Sequence, residues 1–114
     1  MYPDCPVMAV VGDGGFAMVM AEVETAVREE LPVVITVMSD QTLSLIRIGQ
    51  ERRGYEPYGV DFHRFDYMSL AASLGAKGII LDNQSDCRDV YRSALQSKVP
   101  VLVEARINPS AYRI

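Results

Sequence analysis

Gly12-Asp13-Gly14-Gly15 lies between two stretches of opposite periodicity, and few folds accommodate that order. Before it, Val7-Met8-Ala9-Val10-Val11 is apolar throughout, too short for a helix and rich in β-branched residues, so it reads as a buried strand. After it, Phe16, Met20, Val23 and Val27 fall at helical spacing and predict a helix over about residues 17–30. A strand, a tight glycine turn and a helix in that order build an anion site, because N–H groups at the helix start have no intrahelical partner. Asp13 conflicts with a bare phosphate there. A divalent metal bridging its carboxylate to a phosphate or diphosphate resolves the conflict.

The rest of the chain repeats the alternation. Leu31-Pro32 stops the first helix, and residues 33–38 are the most β-prone stretch, expected as a central strand buried on both faces. Residues 43–53 start as a helix with Leu43, Ile46 and, at the margin, Leu45 turned inward. After an irregular stretch, Asp66 caps a helix that runs to Leu74 and closes at Gly75. Residues 78–81 form a third strand. Asn83-Gln84-Ser85 leads into a helix through about Gln96, with Ser85 or Asn83 as its cap, and Pro100 introduces a fourth strand at 101–105. Residues 1–6 read as a lead-in loop and the tail from Asn108 as irregular.

The order β-α-β-α-α-β-α-β with solidly apolar strands predicts an α/β fold, a parallel sheet with helices on both faces. Ligands of such sheets bind beyond the carboxyl ends of the strands. Asp13 and Asp40 end strands one and two. If those strands are neighbours, the two carboxylates converge on one mouth, and Mg²⁺ favours one or two carboxylates with phosphate oxygens and water.

Composition narrows the partners. The 114 residues suffice for one domain with one core. A net charge of −4 gives no general basic field, which argues against nucleic acid and anionic membranes as partners. No apolar run approaches the roughly 20 residues of a membrane helix, and Asp4 with two prolines breaks up any secretory signal. Cys5 and Cys87, without metal-type spacing, read as reduced thiols of a cytoplasmic protein.

Met8-Ala9-Val10-Val11-Gly12-Asp13-Gly14-Gly15-Phe16, then Glu22 and residues 25–33, then the turn at 39–42, resemble the diphosphate-binding domain of thiamine-diphosphate (ThDP) enzymes, the acetolactate synthase group above all. The family signature is Gly-Asp-Gly followed roughly 25 to 30 residues later by Asn-Asn, and Ser39-Asp40 occupies the second place here. The resemblance covers nearly the whole chain. It implies that Asp13 ligates Mg²⁺ through its carboxylate, that Asp40 ligates through a side-chain oxygen, and that the Thr42 backbone carbonyl completes the protein ligands. It implies that Gly12, Gly14 and Gly15 cradle the diphosphate, with Gly14 and Gly15 offering N–H groups, and that Leu43, Ser44 and Leu45 line the same mouth. It implies no catalytic side chain in this stretch. The family's upstream strand and helix, and the activating glutamate of a separate pyrimidine-binding domain, have no counterpart in these residues. The chain is therefore expected to be one diphosphate-binding domain, catalytically silent alone, which works as a homo-oligomer or with a pyrimidine-binding domain or chain. Asp40 replaces an amide with an acid, so metal binding should be more pH-sensitive.

Rival readings use the same residues. Gly12-x-Gly14-x-x-Ala17 meets the relaxed dinucleotide fingerprint, with Asp40 placed as a ribose-binding acid, but bulky Phe16 opposes it. Asp40 also reads as an N-cap of the following helix. A non-catalytic fragment or split subunit would bind a partner chain through an uncovered apolar sheet edge. His63 and Arg52-Arg53 read as surface, Met8, Met18, Met20 and Met38 as core filling, and Tyr55 and Tyr58 as flanking a loop.

Overall fold

The computed structural model describes residues 5–109. Part of the expected lead-in (residues 1–4) and the end of the irregular tail (110–114) lie outside the described residues. Strands β1 (Val7–Gly12), β2 (Val33–Ser39), β3 (Lys77–Leu81) and β4 (Val101–Arg106) form one parallel sheet in the order β1-β2-β4-β3. Five helices connect them: α1 (Asp13–Val19), α2 (Glu22–Arg28), α3 (Ser44–Arg52), α4 (Tyr67–Ser73) and α5 (Cys87–Leu95).

Helices cover both faces, as the apolar strands require. On one face Phe16 of α1, Val23 of α2 and Tyr67 and Ala71 of α4 pack against Val37 and Leu102. On the other, Ala94 of α5 packs against Val34, Val101 and Val103, and the hydroxyls of Thr36 and Tyr91 share a 2.9 Å hydrogen bond. β2 and β4 lie inside the sheet and carry its most buried side chains.

β1 departs from expectation. Among the described residues it is an edge strand, hydrogen-bonded to β2 alone, and Val7, Met8 and Val10 are more than half exposed. α5 sits over the part of the sheet formed by β2, β4 and β3. Among the described residues nothing buries Met8 or Val10.

The helix expected over 17–30 is two. Met20 and Ala21 separate α1 from α2, and the Val23 and Glu24 N–H groups turn back to the carbonyls of Met20 and Ala21 at 3.2 and 3.0 Å. This tight i→i+3 turn re-aims the second segment so that Phe16 and Val23 both reach the core. Met18 is left 83% exposed and, like Met8, does not fill the core, whereas Met20 packs against it. α3 also departs: Leu45 and Ile46 are 71% and 52% exposed. The cap of α5 is Asp86, which accepts the Arg88 and Asp89 N–H groups at 2.8 and 3.2 Å, while the Ser85 hydroxyl bonds the Asp82 carboxylate.

Asp66 caps α4 as expected, accepting from the N–H groups of Met68 and Ser69. Its carboxyl is held below the ordinary range by those bonds and the Ser69 hydroxyl. Gly75 closes the helix at φ +84°, and a Cβ there would stand 3.1 Å from Val27 Cγ1. Gly75→Ala is expected to cost about 1–2 kcal/mol, because an L-residue meets both the left-handed backbone and Val27. A lower urea midpoint with an unchanged slope would register it.

Candidate functional site

The site grows from one register. Gly12 pairs with Met38, so the residues that follow each strand, Asp13 on one side and Ser39-Asp40 on the other, emerge side by side at the carboxyl edge. The chain makes no glycine turn there. Gly12 is extended (φ −73°, ψ 158°) and α1 begins at once with Asp13. None of Gly12, Gly14 and Gly15 has a positive φ. At Gly14 and Gly15 the small residue makes room instead: a Cβ on Gly14 would stand 2.5 Å from Leu43 Cδ2, and one on Gly15 3.0 Å from Val11 Cγ2.

Asp13 is 4% exposed. Its Oδ1 accepts the Gly14 N–H and its Oδ2 the Gln41 N–H, both at 2.8 Å, so one carboxylate joins α1 to the loop after β2. The Gly14 N–H, expected to face a diphosphate, is thus engaged by Asp13. Asp40 accepts the Thr42 N–H at 3.2 Å and the Ser44 hydroxyl at 2.5 Å. It closes a local Asx-type turn and does not cap α3 through the helix backbone; the cap position is Leu43, without a side-chain bond. Burial pushes the Asp13 carboxyl up from its ordinary value, the Gln41 and Gly14 N–H groups pull it back, and the nearby charge of Asp40 raises it again. Behind the acids, burial raises the Tyr67 phenol to about 12, so it is neutral at any physiological pH.

Both acids open on a cavity of about 370 Å³. Gly12, Gly14 and Gly15 line one side with Asp13; Asp40, Thr42 and Ser44 line the other; Leu43 and Leu45 complete the set expected from sequence. Met38 and Ile46 join them and give the mouth an apolar wall. Met38 was legible as a β2 residue one place before the turn, but its core assignment hid it. A larger crevice of about 420 Å³ at the ends of β3 and β4 shares no residue with this set. His63, Tyr55 and Tyr58 are exposed and line neither, and Cys5 and Cys87 are free thiols at the surface.

The donors suit a hard cation. Burial and the neighbouring Asp40 charge both disfavour the ionised Asp13 carboxyl, and a divalent ion beside it removes that penalty. Among the described residues no three His, Cys, Asp or Glu side chains group as a metal cluster. A cation here relies on two carboxylates, backbone oxygen and oxygens of its ligand, which is how Mg²⁺ binds phosphates.

Gln41 adds strain at the same spot, with φ +64° on a non-glycine residue whose N–H holds Asp13. Gln41→Gly is expected to stabilise the chain by up to about 1 kcal/mol, the left-handed cost being partly offset by the looser unfolded chain. A thermal melt that falls instead would show that the Gln41 side chain does more than occupy the turn.

Comparison with known proteins gives the family of the chain. The family model described as thiamine pyrophosphate enzyme, C-terminal TPP binding domain, matches residues 1–105, and the chain belongs to that family. It is 35% identical over 105 residues to the putative thiamine pyrophosphate-containing protein YdaP of Bacillus subtilis, covering 92% of this chain and 18% of that protein. It is 32% identical over 108 residues to the acetolactate synthase of the same organism, covering 95% of this chain and 19% of the synthase. Among solved structures, the thiamine diphosphate-dependent 4-hydroxybenzoylformate decarboxylase of Rhodococcus jostii RHA1 superposes with a TM-score of 0.85 at 28% identity, over 93% of this chain and 20% of that one. The chain spans about a fifth of the length of these relatives. Membership in this family displaces the dinucleotide reading. Among the described residues no helix is long and apolar enough to cross a membrane.

Proposed function

We propose that the cavity between the ends of β1 and β2 binds the diphosphate of ThDP through Mg²⁺, and that the chain is the cofactor-binding part of an acetolactate synthase-like 2-oxo acid decarboxylase or carboligase working in the cytoplasm. The observation that carries this is the convergence of Asp13 and Asp40 on one cavity beside the glycines. Asp13 and Asp40 would supply carboxylate oxygens to the cation and Thr42 its carbonyl. Gly15, at the start of α1, would offer its N–H to a phosphate oxygen, with Gly12 giving clearance. Leu43, Leu45, Ile46 and Met38 would exclude water from the far side of the ligand. ThDP supplies the carbon chemistry of decarboxylation and carboligation when bound; the residues here hold and orient.

Calorimetry tests the reading. ThDP with Mg²⁺ is expected to bind with micromolar affinity, and ThDP with EDTA to give no heat. Binding equally tight without metal would overturn the metal bridge. The pure chain with pyruvate, ThDP and Mg²⁺ is expected to release no CO₂.

The exposed apolar residues of β1 favour a second element of function: association with a further domain or chain, the pyrimidine-binding partner or another copy. Light scattering that returns a clean monomer at high concentration would count against self-association.

A further inference from the structure

Thr42 belongs to the site by position, and what aims its backbone lies outside the signature. Residues 41–43 run antiparallel to 60–62, joined by the bridge between Thr42 and Asp61. The Leu43 N–H donates to the Val60 carbonyl at 2.7 Å, and the Phe62 N–H to the Gln41 carbonyl at 2.9 Å. These bonds flank Thr42 and Asp61 without using the backbone groups of either. In an antiparallel ladder such a pair turns its own N–H and C=O groups away from the opposite strand. The Thr42 N–H does so, donating to Asp40 Oδ1. The Thr42 hydroxyl is spent the other way, on the Val60 carbonyl at 2.9 Å. The Thr42 carbonyl therefore leaves the ladder on the Asp40 side, where the acids meet.

The opposite strand is itself held. Gln50 of α3 grips the Tyr58 backbone twice: its Nε2 donates to the Tyr58 carbonyl at 3.1 Å and its Oε1 accepts the Tyr58 N–H at 3.0 Å. Arg47 of α3 pairs with Asp61. Gly54 and Gly59, at φ +75° and +67°, turn the chain back to make the contact possible. Val60 is buried, and the Phe62 ring lies against Gly14, where a Cβ would come within 3.3 Å of Phe62 Cζ.

We propose that residues 58–62, clamped to α3 by Gln50 and Arg47, are a brace that sets the direction of the Thr42 carbonyl, and that Gln50 is a positioning residue for the cation. A slip of one residue in this short ladder would turn that carbonyl into the brace and away from Asp40. The inference rests on the reading of the cavity as a Mg²⁺–diphosphate site and adds residues to it that no signature contains.

Mn²⁺ in place of Mg²⁺, titrated into the chain with ThDP and followed by water-proton relaxation, tests it. Gln50→Ala removes both bonds to Tyr58 without altering the cavity lining. It is expected to weaken Mn²⁺ binding about tenfold and to raise the relaxation per bound ion, because water replaces a misaimed carbonyl. Gln50→Glu keeps an acceptor for the Tyr58 N–H and loses the donor, and should fall between. Asp86→Ala loosens α5 on the opposite face and is expected to change neither Mn²⁺ readout, which separates positioning from stability. Gln50→Ala with unaltered affinity and unaltered relaxation per ion overturns the brace alone. An unmodified chain that takes up no Mn²⁺ in the presence of ThDP overturns the brace together with the reading beneath it.

Discussion

Asp13→Asn is expected to weaken Mg²⁺-dependent ThDP binding by about a hundredfold or more, roughly 2.7 kcal/mol, because it removes one of two charged donors. The fold should survive it. An asparagine accepts through one oxygen only, so either the Gly14 or the Gln41 N–H meets an amide donor, at a cost of about 1–3 kcal/mol. Loss of a charge that burial disfavours offsets part of this. The sign of the pH dependence follows from the raised Asp13 carboxyl. The folded chain keeps this proton where the unfolded chain, with the ordinary value of 3.8, has released it. Stability from this group is therefore present at low pH and falls as pH rises from about that value through the folded one. Mg²⁺ acts in the opposite direction, competing with the proton, so its affinity climbs over the same window. Urea titrations of the metal-free chain at several pH values should show the slope, and Asp13→Asn should flatten it. A variant that still binds ThDP only with Mg²⁺, at the original affinity, would remove Asp13 from the site.

Phe16→Ala is expected to cost about 3–5 kcal/mol, a large part of the roughly 5–15 kcal/mol that holds a domain of this kind together. The ring is 3% exposed, packs with Val37 and Leu102 at the centre of the larger core cluster, and lies 5.9 Å from the Tyr67 ring. Its removal leaves a void under α1, the helix that begins with Asp13. The loss should therefore appear twice: as a lower denaturant midpoint and as weaker Mg²⁺–ThDP binding in the fraction that stays folded. Phe16→Leu, which refills most of the volume, should recover much of both. A midpoint unchanged in Phe16→Ala would mean that α1 does not rest on the core as described.

Much of this was readable from residue order, and the reasons are local. Apolar β-branched runs alternating with helical spacing predicted the parallel sheet; the sequence left the adjacency of strands one and two as a condition, and the sheet order meets it, with Asp13 and Asp40 at one mouth. The caps at Asp66 and Gly75 were legible because each acts within a few residues of itself. What escaped depends on distant partners. β1 has the composition of a buried strand, and only the sheet order shows it at the edge. The break at Met20-Ala21 carries no Pro or Gly; packing of Phe16 and Val23 on one sheet face decides it. Leu45 and Ile46 have helical spacing for a core yet form the wall of a cavity. Residues 58–62 look like loop because their pairing with 41–43 is made by backbone, which leaves little trace in side-chain identity.

The edge position of β1 has a kinetic meaning. Among the described residues its ladder is to β2 alone, its outer side chains bury little, and its last residue, extended Gly12, leads directly into the buried acid of α1. Such a segment is the natural unit of sub-global opening, able to detach while β2, β4 and β3 stay folded. Its amides should therefore lose deuterium protection first. A bound ion shared by Asp13 and Asp40 would span the seam along which that detachment occurs, slowing exchange in β1 far more than in β3, so that occupancy of the site is recorded in the breathing of a single strand.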